Sequence, residues 1–375
     1  MDKNNLHKIF QKYIDKFEYI NNDKNNENYK WEIAYEFQSF DLDAEDFVAE
    51  LTRLSKISVN LFDSIGSTPF AALIAFAKNE PETVRKMFID LYEDDGGDLT
   101  VRQRKIDAFI DLGEKLRLKY FPDSYLYKND QRSAMQFLFL RFPDQNYAYK
   151  ATQAKSFADS IGFFDDWGSM SNFKIDVYYR LCNQLVEEIK AYPALVETSL
   201  SRYENPPKPI YPDKEFHILA FDIIYCSQVY DFYAGMEFEP ITAKTRKLHE
   251  ERVNKAHELF AEYLAVKEKY ETLVEAKKYI SEKFGVGITI KHKLFGEGII
   301  TEVKGDLTFV QFKKNNEVKK LVISALLINN LIIIEDEELK DKISSYKHLL
   351  SKENDIPRSF AQAKEKLEPY QEYLD

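Results

Sequence analysis

Residues 134–150, AMQFLFLRFPDQNYAYK, decide how the first half of the chain is read. Met135, Leu138, Phe139 and Phe142 recur at three- and four-residue spacings. That is the period of one helix face, so residues 132–142 are predicted helical, with a buried strand as the alternative. Pro143-Asp144 ends the run, because a proline drives the residue before it out of helical backbone. The following NYAYK, residues 146–150, alternates and reads as a short strand.

On the N-terminal side, Leu6, Ile9, Phe10, Tyr13, Ile14 and Phe17 mark one helix face. The polar tract NNDKNNEN, residues 21–28, is a loop. Phe47, Leu51, Leu54 and Ile57 give a second helix. A third starts at Thr68-Pro69, where proline suits the first helical position. A fourth follows Pro81, and the turn DDGGD at residues 94–98 leads into a longer one through Ile106, Phe109 and Leu116.

On the C-terminal side, residues 154–161 and 173–189 are predicted helical. Residues 203–213 hold Pro206, Pro207, Pro209 and Pro212 and read as a linker. FHILAFDIIYCSQVYDFY is the most apolar run and reads as a buried helix or strand. Residues 242–284 form one long helical pattern, in which Lys267 breaks the register expected of a long coiled coil.

The period then changes. Residues 285–334 alternate and are broken by turn signals at Lys304-Gly305-Asp306 and Lys314-Asn315-Asn316, which suits four or five short strands in an SH3-like barrel. Helices at 337–350 and 359–374 close the chain. The expected fold is mainly α with a small β-barrel. Its parts are a helical N-terminal domain (1–205), a Pro-rich linker with a buried apolar element (206–241), a connecting helix (242–285), an SH3/Tudor-like barrel (286–335) and C-terminal helices (336–375).

The totals bound the function. A net charge of −11 over 375 residues rules out a whole-chain basic field for nucleic acid, though a local patch is compatible with it. Cys182 and Cys226 make no disulfide framework and no zinc pair. The N-terminal segment lacks a signal-peptide core and no apolar run reaches membrane length, so a cytoplasmic protein is expected.

Two stretches resemble known families. NLFDSIGSTPFAALIAFAKNEPETVRKMFIDLYED, followed by FLFLRFPDQNYAYK, resembles the helical region that precedes the ATPase of McrB-like restriction proteins. The shared order is an aromatic run at residues 137–140, then Arg141, Phe142, Pro143 and Asp144, then Tyr147, Tyr149 and Lys150, within a span of about residues 40–232. The family's motor would follow, but this chain has no GxxxxGK[ST], so no nucleotide cycle is carried over. VGITIKHKLFGEGIITEVKGDLTFVQF, with Val286, His292, Phe295, Gly296, Gly298, Ile300 and Phe312, is similar to the Tudor-like C-terminal domain of UvrD/PcrA-type helicases. That resemblance implies contact with nucleic acid or with a protein such as RNA polymerase.

The candidate binding surface is Lys291, His292, Lys293, Lys304, Lys313, Lys314, Lys319 and Lys320. In residues 286–327 seven Lys oppose Glu297, Glu302, Asp306 and Glu317, a local balance of +3. Such a patch faces phosphate or an acidic partner, or is the solvated outer face of a small barrel with edge lysines that block strand addition. Tyr147, Tyr149 and Trp167, with Phe163 and Phe164, are candidates for base stacking or for core packing. Phe295-Gly296-Glu297-Gly298 reads as a structural turn. The six histidines are scattered and no metal site or cofactor is expected. Pro143-Asp144 and Pro212-Asp213 would supply carboxylates to a metal-dependent nuclease, but no (D/E)xK strand accompanies them. The reading is a non-enzymatic binding protein of phage defence or DNA metabolism. Its expected partners are DNA or a protein such as an AAA ATPase, nuclease, helicase or RNA polymerase, with self-association through the long helix as a further expectation.

Overall fold

The computed structural model describes residues 1–62 and 67–374; residues 63–66, inside the run that resembles the McrB-like region, lie outside the described residues. The chain divides into two compact units, Met1–Arg246 and Lys247–Asp375. Each has its own apolar core.

The first unit is helical: α1 (Lys3–Asp15), α2 (Phe17–Ile20), α3 (Tyr29–Phe37), α4 (Phe47–Phe62), α5 (Pro69–Ala77), α6 (Pro81–Tyr92), α7 (Leu99–Tyr120), α8 (Gln131–Arg141), α9 (Ala151–Ser160), α10 (Ile175–Lys190), α11 (Pro193–Leu200) and α12 (His217–Val229). The aromatic run is α8, and Ser133 to Leu140 are all buried. An interior helix is apolar on every side, which is why its periodicity alone left a strand open. Asp130 and Ser133 close its N-terminus with a reciprocal capping box. Phe137 is its hub. The rings of Phe37, Phe62, Phe70, Phe88 and Phe109, from five different helices, lie 4.4–6.3 Å from it.

Residues 146–150 are extended, as the alternation predicts, but among the described residues they pair with no strand. Their backbone is served instead by α10: Tyr178 Oη donates to the Ala148 carbonyl at 2.6 Å, and the Tyr147 N–H donates to Tyr179 Oη at 3.4 Å. The predicted linker is likewise strapped to the bundle. The Tyr211 N–H donates to the Trp31 carbonyl at 3.0 Å, and α12 beyond it is buried from Ile218 to Ile224. Phe216, just before α12, has φ +63°, a left-handed backbone that a bulky side chain adopts only under constraint.

The unit boundary falls in the first turn of a 41-residue helix, α13 (Ala243–Lys283). The second unit continues with β1 (Thr289–His292), β2 (Gly296–Lys304), β3 (Leu307–Phe312), β4 (Val318–Val322), α14 (Ile323–Ile328), α15 (Glu337–Leu350) and α16 (Asp355–Leu367). The strands form one antiparallel meander in sequence order, bent by a bulge between Ile300 and Glu302. His292 adds a single antiparallel bridge to Ile332 on the far side of β1. Among the described residues no pairing joins β4 back to the other edge, so the sheet is open and the predicted closed barrel is not formed. Residues 323–328, expected among the strands, are helical: Ile323, Leu326 and Leu327 are spaced for one turn and bury together. Gly298 is required by close approach, since a Cβ there would lie 2.6 Å from Val310 Cγ1 and 2.8 Å from Phe312 Cδ1.

The helix α16 lies antiparallel to α13. Phe360 stacks on Tyr270 at 4.6 Å and 6°, and Arg252 Nη1 donates to Tyr373 Oη at 2.8 Å.

Candidate functional site

Two places gather chemically capable side chains, one in each unit. The acid excess lies in the first: Met1–Arg246 carries 30 Lys and Arg against 40 Asp and Glu, and Lys247–Asp375 carries 22 against 23. A phosphate-bearing partner is therefore repelled less by the second unit.

In that unit four of the seven sheet lysines already have a carboxylate. Lys291 meets Glu335 at 3.3 Å, Lys304 meets Glu302 at 2.5 Å, Lys313 meets Glu297 at 2.7 Å and Lys319 meets Glu317 at 3.2 Å. Lys313 also holds the Glu297 carboxyl below its usual range. Lys293, Lys314 and Lys320 have no such partner among the described residues. The meander puts the turns carrying Lys293 and Lys314 at the same end of the sheet, where Leu294 is 73% exposed. Lys320 is register partner to Phe309 on the face that also carries Ile299 and Val318, 40% and 56% exposed. His292 does not belong to this surface. It is buried, and its Nδ1 accepts from the Leu294 and Phe295 N–H groups at 3.1 and 3.2 Å. Burial pushes its pKa down, so it is a neutral turn-maker.

Tyr147, Tyr149 and Trp167 are buried in the first unit. Tyr147 lies edge-on to Tyr179 at 5.1 Å, and Trp167 Nε1 donates to Tyr149 Oη at 3.2 Å. Their faces are covered by protein and offer no platform to a base. Of residues 295–298, read as a turn, only Phe295 lies between the strands; Gly296, Glu297 and Gly298 belong to β2 and pair with His292, Lys291 and Ile290.

The second place is a buried charged network in the first unit. The Lys30 ammonium bonds to Glu27 Oε2 and, at 2.5 Å, to Asp222 Oδ1. Tyr13 Oη donates to Asp222 Oδ2 at 2.6 Å, and Arg202 Nη2 donates to Tyr13 Oη at 3.0 Å. The Arg202 guanidinium lies 3.5 Å from the centre of the Trp31 ring. Burial alone would push the Lys30 pKa down; Asp222, Tyr29, Cys226 and Glu27 outweigh it and hold it well above the ordinary value. Glu27, Asp222 and Cys226 converge closely enough to ligate a cation. The Lys30 ammonium occupies that focus, so the cluster is an internal ion triad. The sequence signal was one carboxylate, Asp222, inside an otherwise apolar helix. Such a residue is almost never buried unpaired.

At the edge of this network Lys150 stands over the Tyr225 ring at 4.9 Å, with Lys30 on the same ring at 4.3 Å. Burial, then Lys30 and Arg132, push the Lys150 amine down to about 8.

The two Pro-Asp turns do come near each other. Tyr211 Oη donates to Asp144 Oδ2 at 2.9 Å, and Asp213 feels the Asp144 charge. Asp213 is no metal ligand, however. Its two oxygens accept from the Ile218 and Leu219 N–H groups at 3.0 and 2.9 Å, capping α12. Neither aspartate joins a metal-ligating group of three among the described residues. Cys182 and Cys226 are both buried, and burial pushes the Cys182 thiol up to about 12.

No family model, curated protein or solved structure matches the chain.

Proposed function

We propose that the chain is a non-catalytic binding protein of DNA metabolism or phage defence, and that the sheet of its second unit contacts nucleic acid or a nucleoprotein partner. The observation that carries this reading is the group of three lysines without a carboxylate, Lys293, Lys314 and Lys320, beside exposed Leu294, Ile299 and Val318. Unpaired charge beside exposed apolar surface suits phosphate contact combined with packing. The resemblance of residues 286–312 to a Tudor-like module agrees with it.

Three phosphate contacts imply a salt slope of roughly −2 to −3 in log affinity against log salt. The test is fluorescence anisotropy with labelled single- and double-stranded oligonucleotides over a salt series. Lys293→Glu, Lys314→Glu and Lys320→Glu should each weaken binding and together flatten the slope. No binding at low salt, or an unchanged slope in the triple variant, overturns direct nucleic-acid contact.

A second reading, docking on a protein such as an AAA ATPase, a helicase or RNA polymerase without DNA contact, is favoured by Ile299 and Val318. Their exposure on an open sheet face is apolar surface that phosphate does not need.

A further inference from the structure

The β2–β3 turn stands at the opposite end of the sheet from Lys293 and Lys314. There Lys304 registers with Leu307, and Leu307 with Val322. A cavity of about 60 Å³ opens at this end, within the second unit, against α13, the start of α14 and the end of α15. Ile280, Phe284, Ile323 and Leu350 give it apolar walls. Two hydroxyls line it as well. Thr308 is 2% exposed and turned inward with Val310 and Phe312, and Ser324 is 8% exposed. Among the described residues neither hydroxyl has a hydrogen-bond partner. A buried hydroxyl left unpaired is costly, so two of them at one cavity point to an occupant that carries a polar atom.

The charges at the mouth restrict that occupant. The Lys277 ammonium lies 3.1 Å from Glu353 and 3.5 Å from Asp306. Among the described residues no other cation meets either carboxylate. One ammonium therefore serves two acids, and Glu353 is the nearer. Asp306 lines the cavity, is 57% exposed and follows Gly305 in the turn; it keeps the surplus negative charge. An anionic ligand finds no spare cation here, whereas a cationic head is drawn to Asp306. Size sets the rest. A cavity of about 150 Å³ holds the six carbons of benzene, so this one holds about two or three non-hydrogen atoms. A hydroxyl and two carbons fill it, with an ammonium left at the lip.

We propose that this cavity binds a short primary amino alcohol of the size of ethanolamine, with its hydroxyl bonded to Thr308 and Ser324, its carbons against Ile280 and Phe284, and its ammonium on Asp306.

The test is saturation-transfer NMR on the full chain with ethanolamine as probe. A ligand of four non-hydrogen atoms binds no tighter than tens of micromolar, and a dissociation constant of about 0.1–1 mM is expected. n-Propanol has the same shape without the charge, and n-propylamine the same shape without the hydroxyl. Each should bind about tenfold more weakly. Glycolate, whose charge is reversed, should not bind.

These comparisons use the unaltered chain and do not depend on how a variant folds. Thr308→Val and Ser324→Ala should each weaken ethanolamine binding about three- to tenfold. Asp306→Asn should remove the preference for ethanolamine over n-propanol. The triple sheet variant at Lys293, Lys314 and Lys320 should bind ethanolamine as before, so the site stands or falls apart from nucleic-acid contact. No transfer to ethanolamine, either isostere or glycolate matching it, or both hydroxyl variants binding it unchanged overturns the proposal.

Discussion

Lys30 holds its ammonium between Glu27 and Asp222 with no exposed surface of its own. Removing one member of such a group leaves the others as uncompensated buried charges, which costs about 3–5 kcal/mol. Lys30→Met should therefore destabilise the protein by that amount in chemical denaturation. Adding Glu27→Gln and Asp222→Asn to Lys30→Met should recover a large part of the loss, because neutral amides cost less to bury than carboxylates. A single variant that loses less than about 1 kcal/mol would show that the ammonium is not the partner of these charges. Sequence reading passed over Asp222, which lies inside the most apolar run of the chain. It had no means of finding Lys30 and Glu27, about 190 residues away, since charges that meet across the fold leave no local spacing. The same holds for Arg132 and Lys150. Lys150 appeared as the last residue of a supposed strand, and its depressed basicity depends on burial and on two cations from other elements.

Among the elements, α12 shows how far local pattern reaches. Its apolar run foretold burial, and its start is set by Asp213, which caps the helix through both oxygens. Burial raises the Asp213 carboxyl to about 6, with the backbone N–H groups opposing. A carboxyl raised on folding contributes stability that is fully present below its unfolded value near 3.8 and is lost as pH rises through about 6. Asp213→Asn keeps one capping oxygen and removes the buried charge. It should abolish that contribution to the pH dependence between 4 and 6 while leaving the protein at least as stable at pH 7. Asp213→Ala loses both capping bonds together with the titrating carboxyl, and should cost about 1–2 kcal/mol at pH 4 and less at pH 7. Urea titrations at a series of pH values distinguish the two; a wild-type slope retained by the Asn variant would count against Asp213 as its source. The helices α8 and α13 were foreseen as helices from the length and spacing of their runs. The strand at residues 146–150 and the closed barrel were not. Alternation shows that a segment is extended, but whether a partner strand lies beside it is decided elsewhere in the chain. Here tyrosine hydroxyls of α10 took the place of that strand.

At the scale of the whole molecule, the two apolar clusters share no residue. Each unit therefore has a separate source of cooperativity, and calorimetry should resolve two transitions. Phe137→Ala removes the ring at the hub of the first unit and should lower one transition at a cost of about 3–5 kcal/mol, leaving the other in place. Ile343→Ala, in the second cluster, should do the reverse at about 2–5 kcal/mol. A single transition moved by both substitutions would mean that the cores melt as one. The division of charge follows the same boundary, and it is visible in the sequence once the boundary is known. The prolines at 206–212 read as a linker, and in the structure that segment is strapped to the bundle through Tyr211 and Trp31, while the compact units divide at Arg246 and Lys247.

Both cysteines lie in the first unit, sealed from solvent, with their thiols held in the protonated form by burial. A thiolate is the reactive species, so a disulfide reagent in solution meets neither until the helices around it part. The rate at which the intact protein consumes such a reagent is then a clock for opening of the helical unit alone. It reports the breathing of α10 and α12 without any introduced label, and leaves the sheet-bearing unit silent.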